Sequence, residues 1–384
     1  MNKVILIGGN HHNGLGLVRS FGVNQISPYG IIVGDDAEKS FVRLSRYWTK
    51  TWAVKNEEEA IDLLLREFSD EKEKPVIIPW SDGAAEAIDE NLDKLKDKYI
   101  VPSLGGKQGA IVELMDKQEQ VEFAKKYDLP MAKSYVVDLD DIHLPDFMKY
   151  PCIVKPVVSA EGEKKDIRKC DTKEDTLGYL VELQKIGYHR FLIQEYISCD
   201  FEFEFCGSVN NFERAYTITK DTRIWPKIGG TNSFFESIVD DNIDETCNKL
   251  LDSLSYAGFS GCFDIEMFYS HGKILLNEIN WRNTGNSFFA LGSGVHYAVV
   301  WYCSVIGKEI PINLQRRCVD NGICAMNEAT DLRHVVYGDL PLSQWNKDRK
   351  RASSFALWFA PDLRPTFRQY GHLILELIRR GRNG

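Results

Sequence analysis

Between Gly261 and Gly285 the chain reads GCFDIEMFYSHGKILLNEINWRNTG, and its acidic and amide side chains are spaced for chemistry. Asp264 and Glu266 lie two residues apart, as do Glu278 and Asn280. Side chains alternate across a strand, so each pair shares a face. Oxygen donors held on rigid elements suit a hard cation such as Mg²⁺ or Mn²⁺. Mg²⁺ takes one or two carboxylates and fills its shell with water and phosphate oxygens. Carboxylates among apolar strand residues need a partner for their charge, and a metal supplies one. The competing reading is a solvated strand face.

The elements that must hold these residues form a β-hairpin, Cys262–Tyr269 and Lys273–Ile279, joined by a Ser-His-Gly turn. Upstream, YPCIVKPVVSAEGEKK (150–165) is an apolar strand that sets Lys155 before Pro156, then a loop of small and charged residues at 159–165. A lysine desolvated by such neighbours favours an anion, and a phosphate fits; a half-exposed edge strand reads equally well. FLIQEYISCDFEFEF (191–205) is strand, link, strand. The backbone of Gln194, Glu195, Tyr196 and Ile197 could pair with a purine edge. Glu202 or Glu204 could accept from ribose hydroxyls, unless the segment is an ordinary hairpin with its acids in water. The loop within 214–238 offers Arg223 and Lys227 as anion partners, or is merely solvated. MDKQEQVEFAKKYDLP (115–130) is a helix opening near Asp116; 242–257 is another, and 288–307 a buried one.

Residues 1–105 alternate strand and helix signals: strands at 4–9, 30–36 and 75–80, helices at 13–22, 57–68 and 83–95. That order predicts an α/β, doubly wound parallel sheet with its site at the C-terminal strand ends. Two tips lie there, GGNHHNGLG (8–16) and Ser81-Asp82. The first lacks G-x-G-x-x-G, which argues against a nicotinamide cofactor, and adjacent His11 and His12 face different ways. The tail from 308 offers a helix at 366–380, a solvated charge run KDRKR (347–351) and a Pro-containing loop, with no evident chemistry.

Net charge is −9, with only a short basic cluster near the end, so no nucleic-acid role is expected. The 9 cysteines show no metal or disulfide spacing, which points to a reducing compartment. No apolar run reaches membrane-span length, and Met1 leads straight into a strand. The expectation is a soluble, cytoplasmic protein with no membrane partner.

Taken in order, Asp116-Lys117, IVKP with Lys155, QEYI and FDIEMF followed by NEINWR resemble the motifs of the ATP-grasp superfamily over roughly residues 1–310. The likeness is to its carboxylate–amine ligases and its carbamoyl-phosphate-synthase-like branch. It implies a Rossmann-like pre-ATP-grasp domain (1–108) and a two-lobed ATP-grasp domain (109–308; small lobe about 130–195, large lobe about 196–308). A C-terminal extension (309–384) follows. The resemblance further implies ATP and Mg²⁺ as cofactors, with Lys117 and Lys155 on the phosphates. Gln194, Glu195, Tyr196 and Ile197 would frame the adenine, and Glu202 the ribose. Glu266, Glu278 and Asn280 would hold the metal, with Asp264 competing for the first position. Arg282, with Lys155, would act on the transferred phosphoryl. The chain departs from the family pattern at 161–165, where charges replace a glycine-rich flap, and at Trp281 and Asn283.

The implied activity joins a small-molecule carboxylate and an amine through an acyl phosphate, releasing ADP and phosphate. Carbamoyl- or carboxy-phosphate formation is the alternative, as is a non-catalytic ATP-binding protein. Ser81, Asp82, Arg223 and Lys227 are the candidate substrate residues, and the assembly is left open, a homodimer being common in the resembled family.

Overall fold

The computed structural model describes residues 2–157, 166–226, 230–311, 314 and 320–380, the last seven as backbone only. The expected loop at 159–165 and Lys227 lie outside the described residues.

The first layer is a four-stranded parallel sheet of β1 (Val4–Gly8), β2 (Tyr29–Val33), β3 (Lys50–Val54) and β4 (Val76–Pro79), in the order β3-β2-β1-β4. Its strands alternate between two cores. Val4, Leu6, Ile32 and Ile78 face one cluster, and Ile5, Ile7, Ile31 and Ile77 the other. Helices on both faces explain why these strands read as continuous apolar runs. They are α1 (His12–Val23), α2 (Glu57–Glu67), α3 (Asp82–Glu90) and the short α4 (Leu92–Leu95). Caps written in the sequence start them: Asn56 accepts from Glu59 N, with three glutamates in the first turn of α2, and Ser81 accepts from Ala84 N. β3 was not anticipated from the sequence.

β5 (Ser103–Leu104) leads out of this layer through α5 (Ala110–Glu113) to α6 (Lys117–Lys126). An antiparallel sheet follows, β6 (Ser134–Asp138), β7 (Cys152–Pro156), β8 (Arg168–Cys170) and β9 (Arg190–Glu195), in the order β6-β9-β7-β8, with α7 (Lys173–Ile186) packed on it. The rest is an eight-stranded sheet. Its strands are β10 (Phe201–Asn210), β11 (Glu213–Trp225), β12 (Thr231–Ser237), β13 (Phe259–Ser270) and β14 (Lys273–Asn280), then β15 (Cys324–Met326) and β16 (Ala352–Phe355), with β5 on the edge of β13. α8 (Asp241–Tyr256) closes one face of it, burying Ile243, Cys247, Leu250, Leu251 and Leu254.

The sequence reading of 288–307 as one helix is corrected. The segment is two helices, α9 (Ser287–Ser293) and α10 (Tyr297–Val305), bent by 89°. Gly294, at φ +79°, ends the first, a conformation glycine adopts without strain. Among the described residues no single helix is long and apolar enough to cross a membrane.

Residues beyond 308 are woven in. β15 and β16 extend the large sheet, α11 (Glu328–Val336) and α12 (Leu342–Arg351) pack against it, and α13 (Arg364–Arg380) lies against the Val42–Leu44 turn of the first layer. Arg19 of α1, fully buried, donates through Nε to Asp362 Oδ2 at 3.0 Å and through Nη2 to the Asp362 and Leu357 carbonyls. The loop read as carrying no chemistry therefore neutralises a buried charge of the first helix. The 347–351 run is likewise not simply solvated, since Asp348 is buried. All eight described cysteines are free thiols.

Candidate active site

The expected hairpin forms as β13 and β14, turned by His271 (φ 51°) and Gly272 (φ 77°), a two-residue loop with both φ angles positive. Its register places Glu266 opposite Glu278 and Asp264 opposite Asn280. β10 on the other side sets Glu204 opposite Glu266 and Cys206 opposite Asp264. Directly opposed residues point to one face, so Glu204, Glu266 and Glu278 form a carboxylate row across three strands, with Cys206, Asp264 and Asn280 in the next. A bulge between Glu266 and Met267 gives β14 one extra residue. That residue, Asn277, reaches Glu266 Oε2 with Nδ2 at 3.2 Å and receives Lys155 Nζ on Oδ1 at 3.3 Å.

Two buried lysines face this row. Lys155, 8% exposed, stands on β7, which pairs with β9. Lys117, 4% exposed, is the first residue of α6, capped by Asp116, which accepts from Gln118 N. The side-chain amide of Gln120 donates to Ile279 O and accepts from Ile279 N, both at 2.9 Å, locking α6 along β14. Lys117 Nζ thereby comes to 3.3 Å from Glu278 Oε1.

Burial lowers the Lys155 ammonium to about 8; Glu278 resists that shift and Lys117 reinforces it. Burial, then Glu278 and Asp264, push the Glu266 carboxyl up to about 7 although it opens onto a cavity. Glu202 is raised by burial against the pull of Lys155. For Arg282 burial works against the charge, but Asp82 and Asp264 outweigh it, and the guanidinium stays firmly protonated. Its Nε donates to Asp82 Oδ1 and its Nη1 to Asp264 Oδ2, each at 2.9 Å. Asp264 is thus engaged by Arg282, whereas Glu266 is left facing Glu278 and Asn277.

Of these groups Asp264, Glu266, Asn277 and Arg282 line a cavity of about 250 Å³ between the β1–α1 tip and the large sheet, while Lys155, Glu278 and Asp82 are not part of its lining. Glu202, Glu204, Asp221, Asp264 and Glu266 all face it, with Arg282. Glu204 accepts from Asn232 and Asn286 Nδ2, each at 2.5 Å. Burial, then Asp264, hold its carboxyl far above the usual range, and burial with Glu202 does the same to Asp221. Glu204, Cys206 and Asp264 bring ligand-type atoms within 4.8 Å of one another. Their contacts are those of a hydrogen-bonded cluster: burial keeps Cys206 a thiol, which donates to Asp264 Oδ1 at 3.3 Å.

The other expected residues are placed as follows. Gln194 is 4% exposed, and its Nε2 finds no partner among the described residues. Glu195 accepts from Lys133 N, and Tyr196 is exposed beneath Lys169 Nζ, with Ile197 next along the same link. Ser81 caps α3. Arg223 is not presented to the cavity. It grips Asp331 through two nitrogens and Asp348 through a third, at 2.8–2.9 Å. Its charge is met inside the fold, which corrects its reading as a substrate contact.

Asn277, Asp221, Asn232 and Asn286 were missed. The adjacent polar pair Asn277-Glu278 in an otherwise apolar strand was the available signal for the bulge, and Thr219-Lys220-Asp221 alternates as Glu202 and Glu204 do. Asn232 and Asn286 carry no signal, since only the fold brings them to Glu204.

No family model matches the chain. The sequence is 25% identical over 267 residues to a D-aspartate ligase of Enterococcus faecium (strain Aus0004), covering 63% of this chain and 61% of that protein. It is 23% identical over 241 residues to a formate-dependent phosphoribosylglycinamide formyltransferase of Vibrio parahaemolyticus, covering 54% and 58%. The match thus spans about three fifths of each relative's length. Among solved structures, N5-carboxyaminoimidazole synthetase from Staphylococcus aureus complexed with ADP superposes with TM-score 0.65 at 17% identity, covering 90% of this chain and 87% of that one. The Aspergillus clavatus synthase gives 0.63 at 17%, covering 84% and 81%. The biotin carboxylase domain of Hydrogenobacter thermophilus 2-oxoglutarate carboxylase gives 0.63 at 15%, covering 81% and 71%. The chain shares with these structures the fold of an N-terminal parallel sheet followed by a two-lobed ATP-grasp unit.

Within the ATP-grasp fold the β6–β9 sheet and the large sheet stand on either side of Lys155 and the carboxylate row. The residues present suit a nucleotide and a hard divalent ion. Gln194 leaves a buried amide orphaned at the end of β9, where a heteroaromatic edge would satisfy it. Glu266, Glu278 and Asn280 offer only oxygen or amide donors, and the raised Glu266 shows the crowding that a cation relieves.

Proposed function

We propose that the chain is an ATP-dependent, ADP-forming carboxylate–amine ligase using ATP and Mg²⁺. The supporting observation is the Glu266–Glu278 cross-strand pair under two buried lysines, with Arg282 two residues past Asn280.

A carboxylate resists attack by an amine because it is resonance-stabilised and negative. Phosphorylation makes it an acyl phosphate with a good leaving group, which the amine displaces to give an amide. Glu266, Glu278 and Asn280 would hold Mg²⁺, which when bound would neutralise phosphate charge. Lys117 and Lys155 hold the phosphate oxygens, and their burial strengthens that attraction. Arg282, fixed by two carboxylates, presents permanent positive charge where the transferred group becomes most negative. Gln194, Glu195, Tyr196 and Ile197 seat the base, and Glu202 the ribose. Asp82 acts as the positioning residue for Arg282. No side-chain nucleophile is required.

The decisive assay is ADP and phosphate release with Mg-ATP against pooled amino acids and small acids, with Glu278→Ala alongside. Turnover that needs both an acid and an amine, and vanishes in the variant, is expected. Absence of Mg-ATP binding would sink the reading. The E. faecium relative is a D-aspartate ligase, so D-aspartate belongs in the first pool. Bicarbonate belongs in a separate arm, because the H. thermophilus structure holds it with MgADP. Bicarbonate-stimulated ADP release without an amine would favour the carboxy-phosphate reading. A cytoplasmic homodimer is the proposed working form; the H. thermophilus domain is a dimer, and light scattering tests it here.

A further inference from the structure

We propose that a second cavity, walled by the β1–α1 tip and the C-terminal helices, seats an anionic group at the non-reacting end of one substrate. The proposal rests on the ligase reading above. This cavity measures about 360 Å³, within the range of small-molecule sites. His11 and Thr231 line both it and the acidic cavity, so the two are neighbours across that pair of side chains. A molecule held in the second cavity can extend past them towards Arg282 and the carboxylate row.

The two cavities differ in their ionisable side chains. Five carboxylates face the first against one guanidinium. No aspartate or glutamate is among the described residues lining the second, which instead carries Arg333, His11 and His372, with His12 held neutral by burial. A guanidinium beside imidazoles suits a carboxylate or a phosphate, which it can bind through two parallel hydrogen bonds. Trp225 and Leu357 offer apolar surface for the body of the ligand. Two of the wall residues are braced from behind. Trp225 packs on Tyr337 and His334 at ring-centroid distances of 4.8 and 5.0 Å, and half-buried His12 lies 3.4 Å from Asn327 Nδ2 through Nε2. A substrate with a second anionic group would be repelled by the acidic cavity and drawn to the other, and so enter in one orientation. The tail residues thereby become specificity determinants.

The test follows the imidazole NMR signals of His11, His12 and His372 in the full chain at constant ionic strength. Inorganic phosphate and glutarate are titrated separately, with Mg-ATP binding measured on the same samples. Saturable shifts at His11 and His372 are expected with one anion. Phosphate indicates a phosphomonoester, glutarate a dicarboxylate. Arg333→Gln should weaken the response roughly tenfold. Thr330→Glu should abolish it by placing a carboxylate in the cavity. Glutamate there, three residues after the Asn327 cap, favours the helix start, so this variant is expected to fold. Chloride-like, non-saturating shifts, or shifts unchanged in both variants, would overturn the proposal. Mg-ATP binding without an anion response defeats this inference alone. An anion response without Mg-ATP binding defeats the ligase reading and leaves an anion site.

Discussion

Arg282 Nε donates to Asp82 Oδ1 at 2.9 Å across 200 residues of sequence, tying the large-sheet hairpin to the first helix turn after β4. The group placed to act on phosphoryl charge is therefore aimed by a different layer of the molecule from the one that carries it. Arg282→Ala should lower turnover about a thousandfold while leaving nucleotide binding measurable. Asp82→Asn keeps an acceptor but removes the charge. It should lower kcat roughly tenfold with little change in the KM for ATP. An unchanged kcat in Asp82→Asn would make the contact purely architectural.

Lys155 costs the fold desolvation energy that only an anion offsets. Lys155→Met should weaken nucleotide binding by about 10- to 100-fold yet leave the thermal midpoint of the nucleotide-free protein unchanged or higher. Calorimetry and a melting curve on the same variant check both halves.

Glu266 and Glu278 repel one another until a cation arrives. In EDTA, Glu266→Gln should be more stable than the wild type at pH 7–8 by about 1 kcal/mol, because it removes one buried charge. With Mg²⁺ and nucleotide the order should reverse, since the wild type alone gains binding energy. A variant stabilised by Mg-nucleotide as strongly as the wild type would move the metal site elsewhere.

Arg223 joins β11 to α11 and α12 through Asp331 and Asp348. Arg223→Ala leaves buried Asp331 without its guanidinium and Asp348 with only the more distant Arg351, at 3.9 Å, and should cost about 3 kcal/mol in chemical denaturation. Nucleotide affinity measured well below the melting range should be unaffected.

His296 is held below its ordinary pKa of 6.5 by burial, with Nδ1 2.8 Å from Ser20 Oγ. The unfolded chain then takes up this proton more readily than the folded one, so its contribution to stability is present above pH 6.5 and lost as pH falls below it. The slope is at most about 1.4 kcal/mol per pH unit for one proton. Melting curves from pH 7 to 5 should fall less steeply in His296→Gln; parallel curves would refute the assignment.

Local regularities were legible in the sequence. Alternation in FDIEMF and NEIN gave the shared faces, and Lys155 among apolar neighbours gave a buried cation. What stayed hidden was long-range pairing. Asp348 sits in a run that reads as solvated, and only the arrival of Arg223 from 125 positions away makes it a buried counter-ion. Asp362 reads as a loop residue until Arg19 reaches it. Alternation along β10 and β11 shows that Glu202, Glu204 and Asp221 are not core, but not that a third and fourth strand add Asp264, Glu266 and Glu278 to the same face. The bent pair α9–α10 was misread because both halves are apolar, and periodicity cannot see an axis turn.

The Arg19–Asp362 pair bears on the order in which the protein is made. Synthesis runs from the N-terminus, so the first helix emerges with its guanidinium long before the carboxylate that will neutralise it. Until the final loop is translated, packing α1 fully into place would bury a lone charge. The first layer should therefore close fully only after Asp362 has been made. The same late segment also completes the wall of the second cavity, so binding competence and burial of Arg19 should appear together in time.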